Sequence, residues 1–532
     1  MLKNAIILAA GKSNRFAPFT YEKPKGLFVV KVEVLIERQI EQLIEAGVQE
    51  IIIVVGYMKE KFFYLQRKYP QVKLEVNNTY GKYGNIYSLY VVREHLKNTF
   101  ICCADHYFLN NPFIDDNTKN ISYRATVFYN RNFREFAIDY TDANVISGCY
   151  FGGSNKMAMV GHAYFNERFS AKFVELLNNE INDFGVANVF WEEFFGKHIN
   201  ELTLYMREYD ADSILEFDSV EELRRFDSDF LFNVDSEIIL NICNVLHCHP
   251  NDIVDISILQ AGLTNVTFTF SINGKKYVYS HPGAIAHNSI DRKTEVYTQN
   301  KAKEYGLDNS LIYIDPTGWK ISTFIEGIIR CDLVENRRHR EQVVEALKKT
   351  HTMPISEDVK VFDNVVEANK LIKLACSSKG NLFKEFDELF SKVYEVDRLV
   401  KEEMKKYNIS LVVSHHDAHE YNFMTTKTGE FYLIDWEYSG LNDPINDINS
   451  IVTRFNYGEV IRDELLRLFY GREPTKQEYR HAMAQSILNA FYWFSWGLFR
   501  GSVEEEDGWF FLLTYNYMLN YVDDVIESYK EM

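Results

Sequence analysis

Hydrophobic residues follow two different patterns along the chain. In the first part, short unbroken apolar runs (Ala5 to Ala9, Ile51 to Val55, Phe100 to Ala104) read as buried parallel strands. Between the first two, Leu35, Ile36, Ile40, Leu43 and Ile44 recur at helical spacing until Gly47 ends the pattern. Strand, helix and strand in that order form the unit of a parallel sheet. A charged, helix-like stretch from about Ser219 to Phe230 follows Glu216-Phe217-Asp218 and closes this region, and a new start lies near residue 235. There the pattern changes. Ile256 to Gly274 reads as a hairpin of alternating apolar residues with an Asn273-Gly274 turn, and Lys276 to Tyr279 begins the next strand. From about residue 330 the pattern is mostly helical, apart from a short core around Leu411 to Ile434. Without internal repeats or low-complexity segments, this predicts an α/β chain of two domains, 1–232 and 233–532.

Composition supports two domains, because 532 residues exceed one ordinary core. The chain is 46% hydrophobic and 25% charged, as in a globular protein. Its 58 basic and 76 acidic residues give a net charge of −18, which argues against a nucleic-acid surface or an anionic membrane. Any phosphate must therefore be met by local cations and Mg²⁺. The seven cysteines lack C-x-x-C pairing and read as reduced cytosolic thiols. Cys243, His247, Cys248 and His249 lack zinc-ligand spacing and read as buried thiols rather than a metal site. No apolar run reaches the roughly 18 residues of a membrane span, and Met1-Leu2-Lys3-Asn4 has no signal-peptide form. The expected location is cytoplasmic, without membrane insertion, and the oligomeric state is open.

The first candidate chemistry follows the first strand. Leu8-Ala9-Ala10-Gly11 opens a loop whose amides can face phosphate oxygens, with Gly11 allowing close backbone approach. Arg15 and Lys25 add a bidentate donor and a point charge where a triphosphate would sit. Nucleotidyl transfer also needs a divalent ion, and Asp105, at a strand end, and Asp218, before a helix, are the candidate holders. The spacing L-A-A-G-x-x-x-R-x-x-P-x-T-x-x-x-P-K, from Leu8 to Lys25, resembles the signature of sugar-nucleotide and CTP-dependent nucleotidyltransferases.

The segment Asn77 to Leu89, rich in amides and aromatics, extends that resemblance. Residues 1 to about 230 are similar to bacterial phosphocholine cytidylyltransferases, which implies CTP and phosphocholine as substrates and nucleotide contacts from Leu8, Ala9, Ala10, Gly11, Asn85 and Ser88. Where that family usually has paired Asn, this chain has Gly84-Asn85. A quaternary ammonium is recognised by aromatic faces and carboxylates, and Trp191 with Glu192 and Glu193 offers both; Phe190-Trp191 reads equally well as buried core.

The second candidate chemistry is H-x-D-x-x-x-x-N over His415 to Asn422, followed by an apolar strand ending in Asp435. Phosphoryl transfer from ATP calls for a carboxylate to take the acceptor's proton, together with an amide and a second carboxylate for Mg²⁺; Asp417, Asn422 and Asp435 fill these roles. Residues from about 235 to 532 resemble choline and aminoglycoside kinases, through Gly262, Thr264, Asn265, Glu295 and the segment Asp435 to Gly440, which includes Glu437. The resemblance implies a choline box from Trp493 and Trp496, which by spacing alone form one apolar helix face.

Three positions depart from the kinase pattern. Ser280 stands where the family places Lys or Arg to hold the ATP phosphates, leaving Glu295 without that partner, and Lys276 lies two pleats away. Arg454 falls where choline kinases often carry an acid, and His416 and Ala418 replace usual residues of the catalytic loop.

Together the resemblances imply a Rossmann-like nucleotidyltransferase domain followed by a protein-kinase-like α+β domain of choline kinase type. The implied function is bifunctional: choline is phosphorylated with ATP, and phosphocholine reacts with CTP to give CDP-choline and pyrophosphate. Two alternatives stand beside it. The second domain could be a pseudokinase sensor, or the acceptor could be phosphoethanolamine, 2-aminoethylphosphonate or a sugar phosphate.

Overall fold

The computed structural model describes residues 3–114, 121–259, 265–283, 290–379, 386–455, 457–503 and 510–530. The chain divides into two compact units, Met1–Ile258 and Leu259–Met532. The division expected at 232/233 falls inside the first unit, because the residues after it are tied back. Lys23 Nζ donates to the Val234 carbonyl at 2.8 Å, the Ile238 amide donates to Glu22 at 3.1 Å, and Arg224 donates to the Ile253 carbonyl at 2.7 Å.

In the first unit we number β1 (Asn4–Ala9), α1 (Leu35–Glu45), β2 (Glu50–Val55), β3 (Val72–Val76), α2 (Asn85–Val91), β4 (Thr99–Cys103), β5 (His106–Phe108), β6 (Tyr123–Tyr140), β7 (Ile146–Phe165), α3 (Trp191–Lys197), β8 (Tyr205–Tyr209) and β9 (Ile214–Glu216). The main sheet has seven strands in the order β8-β6-β7-β4-β1-β2-β3. β1 lies parallel to both β2 and β4, with Leu8 opposite Cys103, so the loop after β1 and the turn at Asp105 leave the same edge of the sheet. In such sheets that edge is where ligands bind.

The apolar face of α1 packs Leu35, Ile36, Ile40 and Leu43 against the sheet, each side chain contributing about 1.5–3 kcal/mol. Of its two buried polar residues, Gln39 donates to the Cys103 carbonyl at 2.9 Å and the His106 carbonyl at 2.8 Å. One amide thus fixes both ends of the turn that carries Asp105.

In the second unit we number β10 (Asn265–Ile272), β11 (Lys275–Pro282), α4 (Arg292–Glu304), β12 (Leu311–Ile314), β13 (Lys320–Thr323), β14 (Val412–Ser414), β15 (Phe423–Thr426), β16 (Phe431–Leu433), β17 (Gly440–Asn442), α5 (Asn446–Phe455) and α6 (Lys476–Val503). β10 and β11 form an antiparallel hairpin through Asn273 and Gly274, at φ 50° and 75°, as a two-residue turn of this type requires. β11 continues onto β13, and β13 onto β12. Beyond residue 330 the unit is helical except for the short strands β14 to β17, and its core gathers around Val413, Leu433 and Trp436.

Candidate active sites

At the β1 edge of the first unit, the loop holds its cations close to the acids. Lys25 Nζ donates to Asp105 at 2.8 Å and to the Phe217 carbonyl at 2.6 Å, and Arg15 pairs with Asp218 at 2.5 Å. Lys25 therefore draws Asp105 toward the strand end that carries Asp218. Its position depends on Gly26, where a Cβ would lie 2.8 Å from the Ala104 Cβ. A Cβ at Gly11, by contrast, would meet nothing within 4 Å, so the loop there borders open space. The left-handed residue of the loop is Ser13, at φ 49°.

Burial would raise the Asp105 carboxyl, but Lys25 and His106 outweigh it and hold the group at about 2. His106 faces Glu216 across the β5–β9 pair at 3.1 Å. Burial opposes its charge, yet Glu216 raises it overall. Half-buried Glu135, on β6, is pushed up to about 7 by burial and by the negative charges of Glu216 and Asp218. The site is thus an acidic wall facing a short row of cations. Ligand atoms of Cys103, Asp105 and His106 lie within 4.8 Å of one another, but burial keeps the Cys103 thiol protonated, leaving Asp105 as the hard oxygen donor.

The second unit encloses a cavity of about 850 Å³. Asp417, Asn422 and Asp435 all line it. Asn422 Nδ2 donates to the Asp417 carbonyl at 2.9 Å and to its carboxylate at 3.0 Å. Burial would raise Asp417, but His419 and Arg454, each 3.3 Å from Oδ1, bring it down to about 2. His416 and Asp435 hold left-handed backbone at φ 66° and 67°, a conformation uncommon outside glycine and found where surrounding structure imposes it.

Asp447, at the start of α5, supplies much of that constraint. Its carboxylate accepts from the amides of His415 at 3.0 Å and His416 at 2.8 Å and pairs with His351 at 2.9 Å. Burial would raise this carboxyl, but His351, with smaller contributions from the His416 and His415 rings, outweighs burial and holds it at about 2. His416 stacks on Phe362 at 4.1 Å and meets Asn442 at 2.9 Å, while Ala418 is buried in the core. Both replacements in the catalytic loop are therefore packed framework.

Residues 5–168 match the family model of the MobA-like NTP transferase domain, and residues 256–457 that of choline/ethanolamine kinase. The chain is 34% identical over 223 residues to choline-phosphate cytidylyltransferase of Streptococcus pneumoniae, a match covering 42% of this chain and 96% of that protein. It is 35% identical over 231 residues to 2-aminoethylphosphonate cytidylyltransferase of Lancefieldella rimae, covering 43% and 94%. The chain belongs to this cytidylyltransferase family. To protein LicA of Haemophilus influenzae it is 27% identical over 275 residues, covering 46% of this chain and 73% of LicA. The second unit contains nearly all of the region that matches the choline/ethanolamine kinase model, so the protein joins a nucleotidyltransferase to a choline kinase-like unit.

In the cytidylyltransferase unit, Leu8, Ala9 and Ala10 end β1 at the loop, with the Ala10 carbonyl accepting from Tyr57 at 3.1 Å. Asn85 and Ser88 are engaged internally: Asn85 accepts the Trp191 amide at 2.8 Å and so caps α3, and Ser88 accepts from Asn77 at 3.1 Å. At Gly84 a Cβ would stand 2.1 Å from the Val189 carbonyl, so an Asn there would require the 188–189 backbone to move. Trp191 is packed edge-on against Phe165 at 5.4 Å, and the Arg124 guanidinium lies 5.5 Å from its ring. Glu192 pairs with the same buried arginine at 3.2 Å. An internal cation thus already occupies the aromatic-and-acid arrangement expected to meet an ammonium.

In the kinase unit, Gly262 and Thr264 lie outside the described residues. Asn265 donates to Glu437 at 2.6 Å at the cavity wall. Trp493 and Trp496 are 6.0 Å apart and both line the cavity. Arg454 lies 4.0 Å over Trp493, and Arg500 lies 5.6 Å from Trp496. Glu295 was expected to lack its basic partner, but the structure corrects this: it contacts Arg292, and Lys320 Nζ is 3.9 Å away. The sequence reading missed Glu135, Asp447 and Lys320. Lys320 could be found only through strand register, Glu135 only through the fold of a long hairpin, and Asp447 only through the packing that brings the start of α5 under the His415–His416 backbone.

Proposed function

We propose that the protein makes CDP-choline in two steps, phosphorylating choline with ATP in the second unit and condensing phosphocholine with CTP in the first. The observation that carries the first step is the pairing of Lys25 with Asp105 and of Arg15 with Asp218 at the loop edge. An incoming triphosphate would take over the exposed Arg15 and release Asp218, while the buried Lys25 keeps Asp105 in place. All four proposed metal holders offer hard oxygen atoms that suit Mg²⁺: Asp105 and Asp218 in the first unit, Asn422 and Asp435 in the second. When bound, the ion neutralises phosphate charge.

In the first reaction a phosphocholine oxygen attacks the α-phosphorus of CTP and pyrophosphate departs. The acidic wall of Glu135, Glu216 and Asp218 would attract the choline end. In the second reaction the choline hydroxyl oxygen attacks the γ-phosphorus of ATP, its proton passes to Asp417 and ADP departs. Asp417 is ionised at neutral pH, as this role requires.

A second reading takes 2-aminoethylphosphonate as the acceptor. Identity to the relative of that name supports it, and the substrate would need no prior phosphorylation. The test incubates the protein with Mg²⁺, ATP, CTP and choline, in parallel with CTP and phosphocholine or CTP and 2-aminoethylphosphonate, and identifies products by mass. CDP-choline from both choline and phosphocholine supports two active sites in series. Product from phosphocholine alone means a silent kinase unit, and product from the phosphonate alone replaces the reading.

A further inference from the structure

We propose that Lys320, on β13, is the cation with which the second unit grips the ATP phosphates, doing from the neighbouring strand what a basic residue at position 280 would do on β11. The inference rests on the kinase reading of this unit.

Ser280 and Lys320 are direct partners in the antiparallel β11–β13 ladder. Directly opposed residues point to the same face of a sheet with their Cβ atoms about 4.5–5.5 Å apart, a gap that a lysine side chain spans easily. Ser280 is short, and its hydroxyl turns toward Thr267 at 3.3 Å, which leaves the space above it to Lys320. Lys320 Nζ lies 3.9 Å from Glu295 on α4, 3.6 Å from Asp435 and 3.5 Å from the Gln299 side-chain Oε1. It therefore stands between the helix acid and the strand-end acid, the position a phosphate-binding lysine holds in kinase chemistry.

Lys320 also lines the cavity, with a side chain only 13% exposed. Burial opposes its charge, but Asp435, Glu295 and Glu437 outweigh burial and keep it protonated. Arg454 and Arg500 also line the cavity, but they stand at Asp417 and the two tryptophans rather than at Glu295. Lys276 lies 4.3 Å over Phe324, Lys275 is 5.4 Å from Tyr277, and Arg292 contacts Glu295 without lining the cavity.

The test uses the full chain and three variants: Lys320→Met, Ser280→Lys, and the two combined. MgATP binding is measured by calorimetry and choline phosphorylation by ADP release, with thermal unfolding of each variant recorded alongside. Lys320→Met should weaken MgATP binding at least about tenfold and lower kcat/KM for the ATP step about 10²–10³-fold. The double variant should recover most of both, because the cation returns from the opposite strand. A structural role for Lys320 would not be rescued in this way. Wild-type binding by Lys320→Met, or a double variant as impaired as the single one, overturns the proposal and leaves the kinase reading standing. No MgATP binding by the wild-type protein overturns the kinase reading and this assignment together.

Discussion

The two sites hold opposite charges together in different ways. In the first unit the Arg15 and Asp218 side chains are 73% and 46% exposed, so their pairing is weak, screened and easily exchanged for a ligand. In the second, Arg454 and Asp417 are 12% and 9% exposed, and a charge buried this deeply is costly to leave without its partner. A ligand that took Arg15 from Asp218 would therefore give up little in the first site. The second is already built and admits only what fits around its fixed charges. The contrast follows from position: one site lies on a loop leaving a sheet edge, the other in a cavity whose loop backbone is held by Asp447.

The contrast can be tested with variants that silence one site without touching the other. Asp417→Asn should lower ATP-dependent phosphorylation by about 10²–10⁴-fold while CDP-choline formation from phosphocholine stays at the wild-type rate. Loss of both would show that the two reactions do not depend on separate sites. Lys25→Ala should reduce pyrophosphate release by about 10²–10³-fold and spare phosphorylation. Asp447→Ala should destabilise the second unit by about 3–5 kcal/mol, seen as an earlier transition in denaturant, because it strips two buried amides and His351 of their acceptor.

Arg454 is expected to act on both turnover and choline binding. Arg454→Gln leaves the buried Asp417 without one partner and should lower kcat, while removal of the guanidinium from the Trp493 face should lower the choline KM by about tenfold. A raised KM would instead make Arg454 part of the acceptor site. The smallest effect concerns Glu135, raised to about 7. Its carboxyl is mostly neutral below that pH and negative above it, so the KM for phosphocholine should fall as pH rises through 7. In Glu135→Gln this dependence should disappear.

Much of this was legible in the sequence because the chemistry is local. The loop from Leu8 to Lys25 and the segment from His415 to Asp435 keep their spacing along the chain, and the structure brings each set together. What could not be read depends on partners distant in sequence. Trp191 and Glu192 matched an ammonium site in composition, but Arg124, far upstream, is folded against both. Ser280 marked a missing cation, and only the register placing Lys320 opposite it reveals where a positive charge stands. Gly84 departed from a family pattern for a reason that lies at Val189.

The left-handed backbone at Asp435 restricts how that position can be altered without disturbing more than its charge. Asn tolerates φ 67° at least as well as Asp does, while Ala, Val or Lys would add backbone strain. Asp435→Asn is therefore the informative substitution, and a survey of all replacements there should find activity tracking the oxygen donor but expression tracking the backbone.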